Sequence, residues 1–256
     1  LFLTRLPLPS RWCRWAGTEE TAFFRSVPFF PWVGLVLGGL IWAADPVLRW
    51  AFSPLLSALL LIALLVVLTG GLHLDGWMDT ADGLLSGRER ERVLAIMKDS
   101  RVGAFGVLAV VLLLLLKWGG LAELGADRGP LLLLMPVAGR MAMTGCVLFW
   151  PDARSGEGIG SLFHQPDGGG KKFGRQRLWG GWVSMFAVSL IILALTGVWG
   201  WLTLWAAVAC GWFMAARIAR RLGGLTGDVY GAVNEAAEVA AVYLYVPMTF
   251  MAAFWA

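Results

Sequence analysis

No charged side chain interrupts the chain between Leu178 and Ala216. An apolar run of that length cannot be covered by the polar surface of a water-soluble domain. A helix crosses the hydrocarbon core of a bilayer with roughly 20 apolar residues, so the run is long enough for two crossings. Backbone that enters lipid must satisfy its own hydrogen bonds, which leaves helices or closed barrels. Three further uncharged intervals, Ser26–Ala44, Trp50–Leu74 and Val102–Leu116, fit helices of the same kind. Charged residues make up only 15% of the chain, against about 25% in an ordinary soluble domain, and hydrophobic residues make up 58%. A soluble enzyme and a disordered or collagen-like chain are both excluded.

These intervals predict an all-α polytopic membrane protein with about seven transmembrane helices. The expected spans are about 28–48, 53–72, 102–120, 130–150, 178–197, 202–221 and 239–256, with Val198–Trp201 as a turn. Residues 1–256 are read as one membrane-embedded catalytic domain. Lys117 is expected to snorkel from the third span, and Arg140 falls inside the fourth. Alternating crossings place the N-terminus, 73–101, 151–177 and 222–238 on one side. All of the 21 Lys and Arg lie on that side except Arg49, Lys117, Arg128 and the intramembrane Arg140. By the positive-inside rule that side, and the N-terminus, are cytoplasmic. The basic residues form no single patch, so nucleic-acid binding is not expected.

Nine Trp residues, among them Trp42, Trp50, Trp179 and Trp199, cluster near the span ends, where interfacial anchoring explains them. Gly38-Gly39 and Gly180-Gly181 are read as sites of close helix packing. Cys13, Cys146 and Cys210 match no metal spacing or disulfide framework and are read as small apolar fillers. The chain begins at Leu1 rather than Met, so a short leader is expected to precede it. Nothing in it resembles a cleavable signal peptide.

Chemistry is carried by the acids. Asp75, Asp79 and Asp82 are spaced by four and three, which puts them on one helical face. Their neighbours are Ala, Leu, Met and Trp rather than Lys and Arg. Stacked carboxylates in such surroundings call for a hard divalent cation with oxygen ligands, and Mg²⁺ fits best. An ordinary acidic face on a juxtamembrane helix is the alternative. Asp228, Glu235 and Glu238, spaced by seven and three, form a second acidic face on the same side. The glycine-rich lead-in Gly223–Asp228 could offer backbone N–H groups to phosphate at a helix N-terminus, or simply turn the chain.

Basic partners lie close by in sequence. Lys98 and Arg101 suit phosphate oxygens, and Asp99 could add a ligand or orient a base. They could equally be the common basic flank of a cytoplasmic span. His73 points about 200° away from Asp75 on a continuous helix, so a shared site needs a break at Gly70-Gly71 or Gly76. His164 lies in a glycine-rich loop and is given no role. Arg140 is a functional candidate because charge facing lipid is costly, though it could snorkel or pair with an acid. Together these groups suggest Mg²⁺-assisted phosphoryl transfer on a membrane scaffold. An ion-coupled transporter is the main rival, but the acids gather at one face rather than along a midplane path.

The pattern resembles the cobalamin synthase family, the adenosylcobinamide-GDP ribazoletransferases. The resemblance is carried by Phe2–Pro7, by Phe29-Phe30-Pro31 with Val33-Gly34, and by Gly71–Gly83. It continues through Met97–Gly106 and Gly224–Glu238, spanning nearly the whole chain in order. Trp77-Met78 departs from the Leu-Ala of the pattern. The spacer 151–177 carries nothing over.

The resemblance implies a bacterial inner-membrane enzyme of cobalamin biosynthesis with its active site facing the cytoplasm. Its substrates would be adenosylcobinamide-GDP and α-ribazole or its 5′-phosphate, its product GMP with adenosylcobalamin or the phosphate of it, and its cofactor Mg²⁺. The lipid bilayer is its other expected partner, and a homo-oligomer is left open. On that reading Asp75, Asp79, Asp82, Asp228 and Glu235 are the metal ligands. His73, Asp82, Lys98, Asp99, Arg101 and Glu238 are the catalytic candidates, with the base open among His73, Asp82 and Glu238. Lys98, Arg101, Arg140, Thr226 and Asn234 are the substrate-binding candidates. The CDP-alcohol phosphotransferases share the logic of clustered aspartates and are the alternative. Their Asp-Gly-x-x-Ala-Arg element is absent, because Trp77-Met78-Asp79-Thr80 follows Gly76.

Overall fold

The computed structural model describes residues 3–5, 20–154, 163 and 170–255. Cys13, His164 and the motif residues Phe2, Leu6 and Pro7 lie outside the described residues. The helices are α1 (Glu20–Ser26), α2 (Phe30–Ala51), α3 (Pro54–Thr69), α4 (Leu72–Leu85), α5 (Arg90–Ile96), α6 (Ala104–Glu123), α7 (Gly129–Phe149), α8 (Gly170–Leu222) and α9 (Gly227–Trp255). Short 3₁₀ turns at Val27–Phe29 and Gly125–Arg128 lead into α2 and α7. Among the described residues the only β-type pairing is a parallel bridge between Asp152 and Leu225.

α7 is the axis of the fold. Every residue from Leu131 to Val147 is buried. Gly34 and Gly38 let α2 press against it: a Cβ at Gly34 would stand 2.6 Å from the Pro136 carbonyl oxygen, and one at Gly38 2.8 Å from that of Leu133. Gly39 has open space around it, so only one member of that glycine pair makes the packing contact. α6 and α8 are apolar outside as well as inside, and Leu108, Leu112, Trp179, Val183 and Phe186 are exposed. A helix that is apolar on its outer face belongs in lipid. Trp50 is 88% exposed at the end of α2, as an interfacial anchor should be. Cys146 is buried, whereas Cys210 is exposed on the outer face of α8.

By length and composition four helical stretches can cross a membrane: Phe23–Ala51, Ala104–Glu123, Gly125–Phe149 and Leu178–Leu222. α3 and α4, bent by 92°, make a fifth if counted as one. The seven expected from sequence divide Leu178–Leu222 in two and take α9 as the last. Leu178–Leu222 is indeed not straight. Gly197 leaves the helical region at φ 71°. The indole N–H groups of Trp201 and Trp205 both donate to Ser189 Oγ, at 2.7 and 2.9 Å. Residues 12 apart on a straight helix would be about 18 Å apart, so the two halves fold back on each other.

Lys117, expected to snorkel, and Arg128, expected on the non-cytoplasmic side, both lie in the interior instead. Lys117 does not snorkel. Its ammonium donates to Glu235 at 2.5 Å and to Glu238 at 2.6 Å. Arg128 is fully buried, with its guanidinium on Asp45 at 2.5 and 2.8 Å and on Ser57 at 2.6 Å. Burial of a charge is tolerable where it is paired and hydrogen-bonded, and both have found acids on other helices.

Candidate active site

The site is built on the bend between α3 and α4. α3 starts at a Ser53 cap, whose hydroxyl accepts the Leu56 N–H, and ends at Gly70. Gly70 and Gly71 both take positive φ, 68° and 72°, a conformation costly for other residues. This double turn breaks the helix just before His73, and α4 is continuous beyond it. α4 and α9 approach closely through glycines. A Cβ at Gly76 would lie 2.6 Å from the Asp228 carbonyl oxygen, and one at Gly231 would lie 3.2 Å from His73. The first turn of α9 is therefore laid across the first turns of α4.

A cavity opens at this crossing, lined by His73, Asp75, Lys98, Arg154, Asp228 and Tyr230 among others. Asp79, one turn along from Asp75, is held with its carboxyl pushed up to about 7. Burial is the first cause, and the negative charges of Asp228, Asp75 and Asp82 add to it. Asp228 is also raised, again chiefly by burial, while Arg154 works against the shift. The Arg154 guanidinium donates to Asp228 at 2.8 Å. His73 is 3% exposed, and its Nε2 meets no partner among the described residues. Burial, then the charges of Arg140 and Lys117, hold the imidazole well below its ordinary pKa, so it is neutral.

Arg154 is the cavity-lining cation that sequence reasoning missed. It is placed by backbone. The Ala153 N–H donates to Leu225 O and the Leu225 N–H to Pro151 O, both at 2.9 Å. Arg90 on α5 ties the same turn, donating to Leu222 O at 2.6 Å and to Ala153 O at 2.9 Å. The glycine-rich lead-in thus docks residues 151–154 beside Asp228. Thr226 is buried and caps α9, accepting the Val229 N–H and donating to Asp228, both at 3.3 Å.

The other candidates separate into three places. The Asp82 carboxylate accepts backbone N–H groups from Gly103 and Gly106, at 2.7 and 2.8 Å. It binds the end of the 97–103 loop to α4 and caps α6. Asp99 and Arg101 are paired with each other at 2.6 Å on the surface. That pairing lowers the Asp99 carboxyl to about 2, and neither residue lines the cavity. Glu235 and Glu238 form a buried network behind His73. Glu235 is held by Lys117, and Glu238 by Lys117, Arg140 and the Asn234 side-chain N–H at 3.0 Å. Arg140 Nε and Asn234 Oδ1 have no partner there among the described residues. Among the described residues, no three His, Cys, Asp or Glu side chains are gathered tightly enough to hold a metal ion as they stand.

Carboxylates of two helices opposed across a cleft, with Lys98 and Arg154 on its walls, can bind a polyanion and stabilise a leaving phosphate. The family described as cobalamin-5-phosphate synthase matches residues 1–246. The adenosylcobinamide-GDP ribazoletransferase of Brevibacillus brevis is 41% identical, over 96% of this chain and 94% of its own length. That of Pseudomonas putida is 43% identical, over 94% and 93%. That of Desulfitobacterium hafniense is 42% identical, over 93% and 91%. No solved structure matches. Matched over nearly its whole length by transferases of one kind, the chain belongs to the cobalamin-5-phosphate synthase family.

Proposed function

We propose that this protein joins adenosylcobinamide-GDP to α-ribazole, or to its 5′-phosphate, and releases GMP. The observation that carries this reading is the crossing of α4 and α9, which opposes Asp75 and Asp79 to Asp228 beside Lys98 and Arg154. The 3′-hydroxyl of the ribazole attacks the phosphorus on the cobinamide side. A new P–O bond forms, the bond to the GMP phosphate breaks, and GMP departs with that electron pair. The hydroxyl proton passes to a base, and His73 is our candidate because it is neutral, in the cavity wall, and unpartnered at Nε2 among the described residues.

The donor chemistry of Asp75, Asp79 and Asp228 suits Mg²⁺, and the three would have to draw closer than they stand to hold it. Their donors are hard oxygens, and the mutual repulsion expressed at Asp79 is what a divalent cation relieves. Bound there, Mg²⁺ would neutralise the diphosphate and the departing phosphate. Lys98 and Arg154 supply fixed positive charge on the same wall, and Arg154 also orients Asp228. Asp82 holds the loop that carries Lys98. Glu235, Glu238, Arg140 and Asn234 hold α9 in register behind His73. The distribution of Lys and Arg supports a cytoplasm-facing site in a bacterial inner membrane, and we read Leu178–Leu222 as two of seven crossings.

The test is turnover by purified protein in liposomes, given adenosylcobinamide-GDP and α-ribazole with Mg²⁺ or EDTA. Mg²⁺-dependent formation of GMP and adenosylcobalamin is expected. No product from well-folded protein would overturn the reading and favour a CDP-alcohol-type transferase.

A further inference from the structure

Asp75 lines a second recess as well as the first. This outer cleft, of about 650 Å³, lies along the α3–α4 bend, between Arg5, Thr69, Leu74, Met78 and Val110. Arg5 is fixed there by its backbone N–H, which donates to Leu68 O at 2.7 Å. Its side chain lies over Gly70, where a Cβ would come within 2.6 Å of Arg5 Nε. The glycine therefore serves the Arg5 position as well as the turn. No acid is paired with the Arg5 guanidinium among the described residues. Leu74, Met78 and Val110 give the cleft an apolar wall, and Thr4 and Thr69 also line it.

A two-substrate phosphoryl transfer must bring its acceptor oxygen to within roughly 3–3.5 Å of the phosphorus. The acceptor's recess must then open onto the group that holds the diphosphate. Leu72 and Asp75 line both recesses. We infer that the outer cleft is the acceptor subsite, with the flat base of the nucleoside on the Leu74–Met78–Val110 wall and a 5′-phosphate on Arg5. A guanidinium binds phosphate through two parallel N–H bonds, which gives it strength and orientation together. The donor's diphosphate is left to Lys98, Arg154 and the acids of the inner cavity. This assignment rests on the proposed transferase reaction. A phosphate could also come from a lipid headgroup, since the cleft lies beside the apolar face of α6.

The test compares α-ribazole with α-ribazole 5′-phosphate as acceptors, in wild type, Arg5→Gln and Arg5→Lys, in neutral and in anionic liposomes. Arg5→Gln should lower kcat/KM for the phosphorylated acceptor at least about tenfold more than for α-ribazole. Arg5→Lys should fall between, because it keeps the charge and loses the fork. An equal fall for both acceptors, or a fall in donor use alone, overturns the assignment. So does an effect that follows the anionic lipid and not the acceptor's phosphate. Calorimetric binding of α-ribazole 5′-phosphate to wild type and Arg5→Gln reads the same subsite without turnover, and equal affinities would also overturn it. Failure of wild type with either acceptor would instead count against the reaction itself.

Discussion

The Asp82 carboxylate accepts the Gly103 backbone N–H at 2.7 Å, and its second oxygen accepts that of Gly106 at 2.8 Å. Both oxygens are thus engaged in holding the loop that carries Lys98. Asp82→Asn keeps one acceptor and replaces the other with a donor that faces an N–H. The loop should loosen, and KM for adenosylcobinamide-GDP should rise about tenfold. The Mg²⁺ concentration for half-activation should stay as in wild type. Gly106→Ala should act alike, because its Cβ would stand 2.5 Å from the same carboxylate. Steady-state kinetics across a Mg²⁺ titration check this. A shifted Mg²⁺ requirement in Asp82→Asn, matching that of Asp79→Asn, would make Asp82 a ligand.

Asp79 predicts a pH dependence of the metal-free protein. Its folded pKa of about 7 lies above the ordinary 3.8 of an aspartate. The folded state then holds this proton more tightly than the unfolded state does. Stability falls as pH rises wherever the folded state binds more protons. Melting temperature in EDTA should decline from about pH 4 to about pH 7 and level off above. Asp79→Asn should flatten that decline, and Mg²⁺ at pH 8 should stabilise wild type but not the variant. Fluorescence melting in detergent reads all three.

An all-helical chain with several long apolar helices was legible because lipid imposes one coarse demand, a long uncharged interval, which needs no knowledge of partners; four or five such stretches are found among the described residues. The face of Asp75, Asp79 and Asp82 was legible because helical spacing is local. What escaped depends on contacts distant in sequence. Lys117 meets Glu238 across 121 residues, and Arg128 meets Asp45 across 83. A cation beside an apolar run looks the same whether it faces water or an acid on another helix. Arg154 escaped for a different reason. Its position depends on backbone pairing between Ala153 and Leu225, which leaves no mark in residue type.

The network behind His73 should report on stability more than on chemistry. Glu238 holds Lys117 at 2.6 Å and also pairs with Arg140, with all three side chains buried. Glu238→Gln leaves two buried cations facing Glu235 alone. Removing one partner of a buried ion pair costs about 3–5 kcal/mol. The variant should melt well below wild type with or without Mg²⁺. Asp75→Asn changes an exposed side chain with no ion pair among those described, so it should melt close to wild type while losing at least about a hundredfold in kcat. Melts and initial rates on the two variants separate scaffold from site. Equal melting of Glu238→Gln and wild type would remove the structural role given to the pair.

Arg154 and Gly224 should fail together although they touch different things. A Cβ at Gly224 would stand 2.6 Å from the Pro151 carbonyl oxygen and 2.9 Å from the Ala153 nitrogen. Both are backbone atoms that cannot rotate away, and both belong to the pairing that docks residues 151–154 beside α9. Gly224→Ala should therefore push the segment off and carry the Arg154 guanidinium away from Asp228. Arg154→Gln removes the same charge directly. Each should lower kcat/KM for adenosylcobinamide-GDP by about ten- to a hundredfold, the range for losing one charge-assisted contact. The double variant should be little worse than either alone, because residues acting as one unit are not additive. Additive losses would show that Gly224 serves α9 by some route other than seating Arg154.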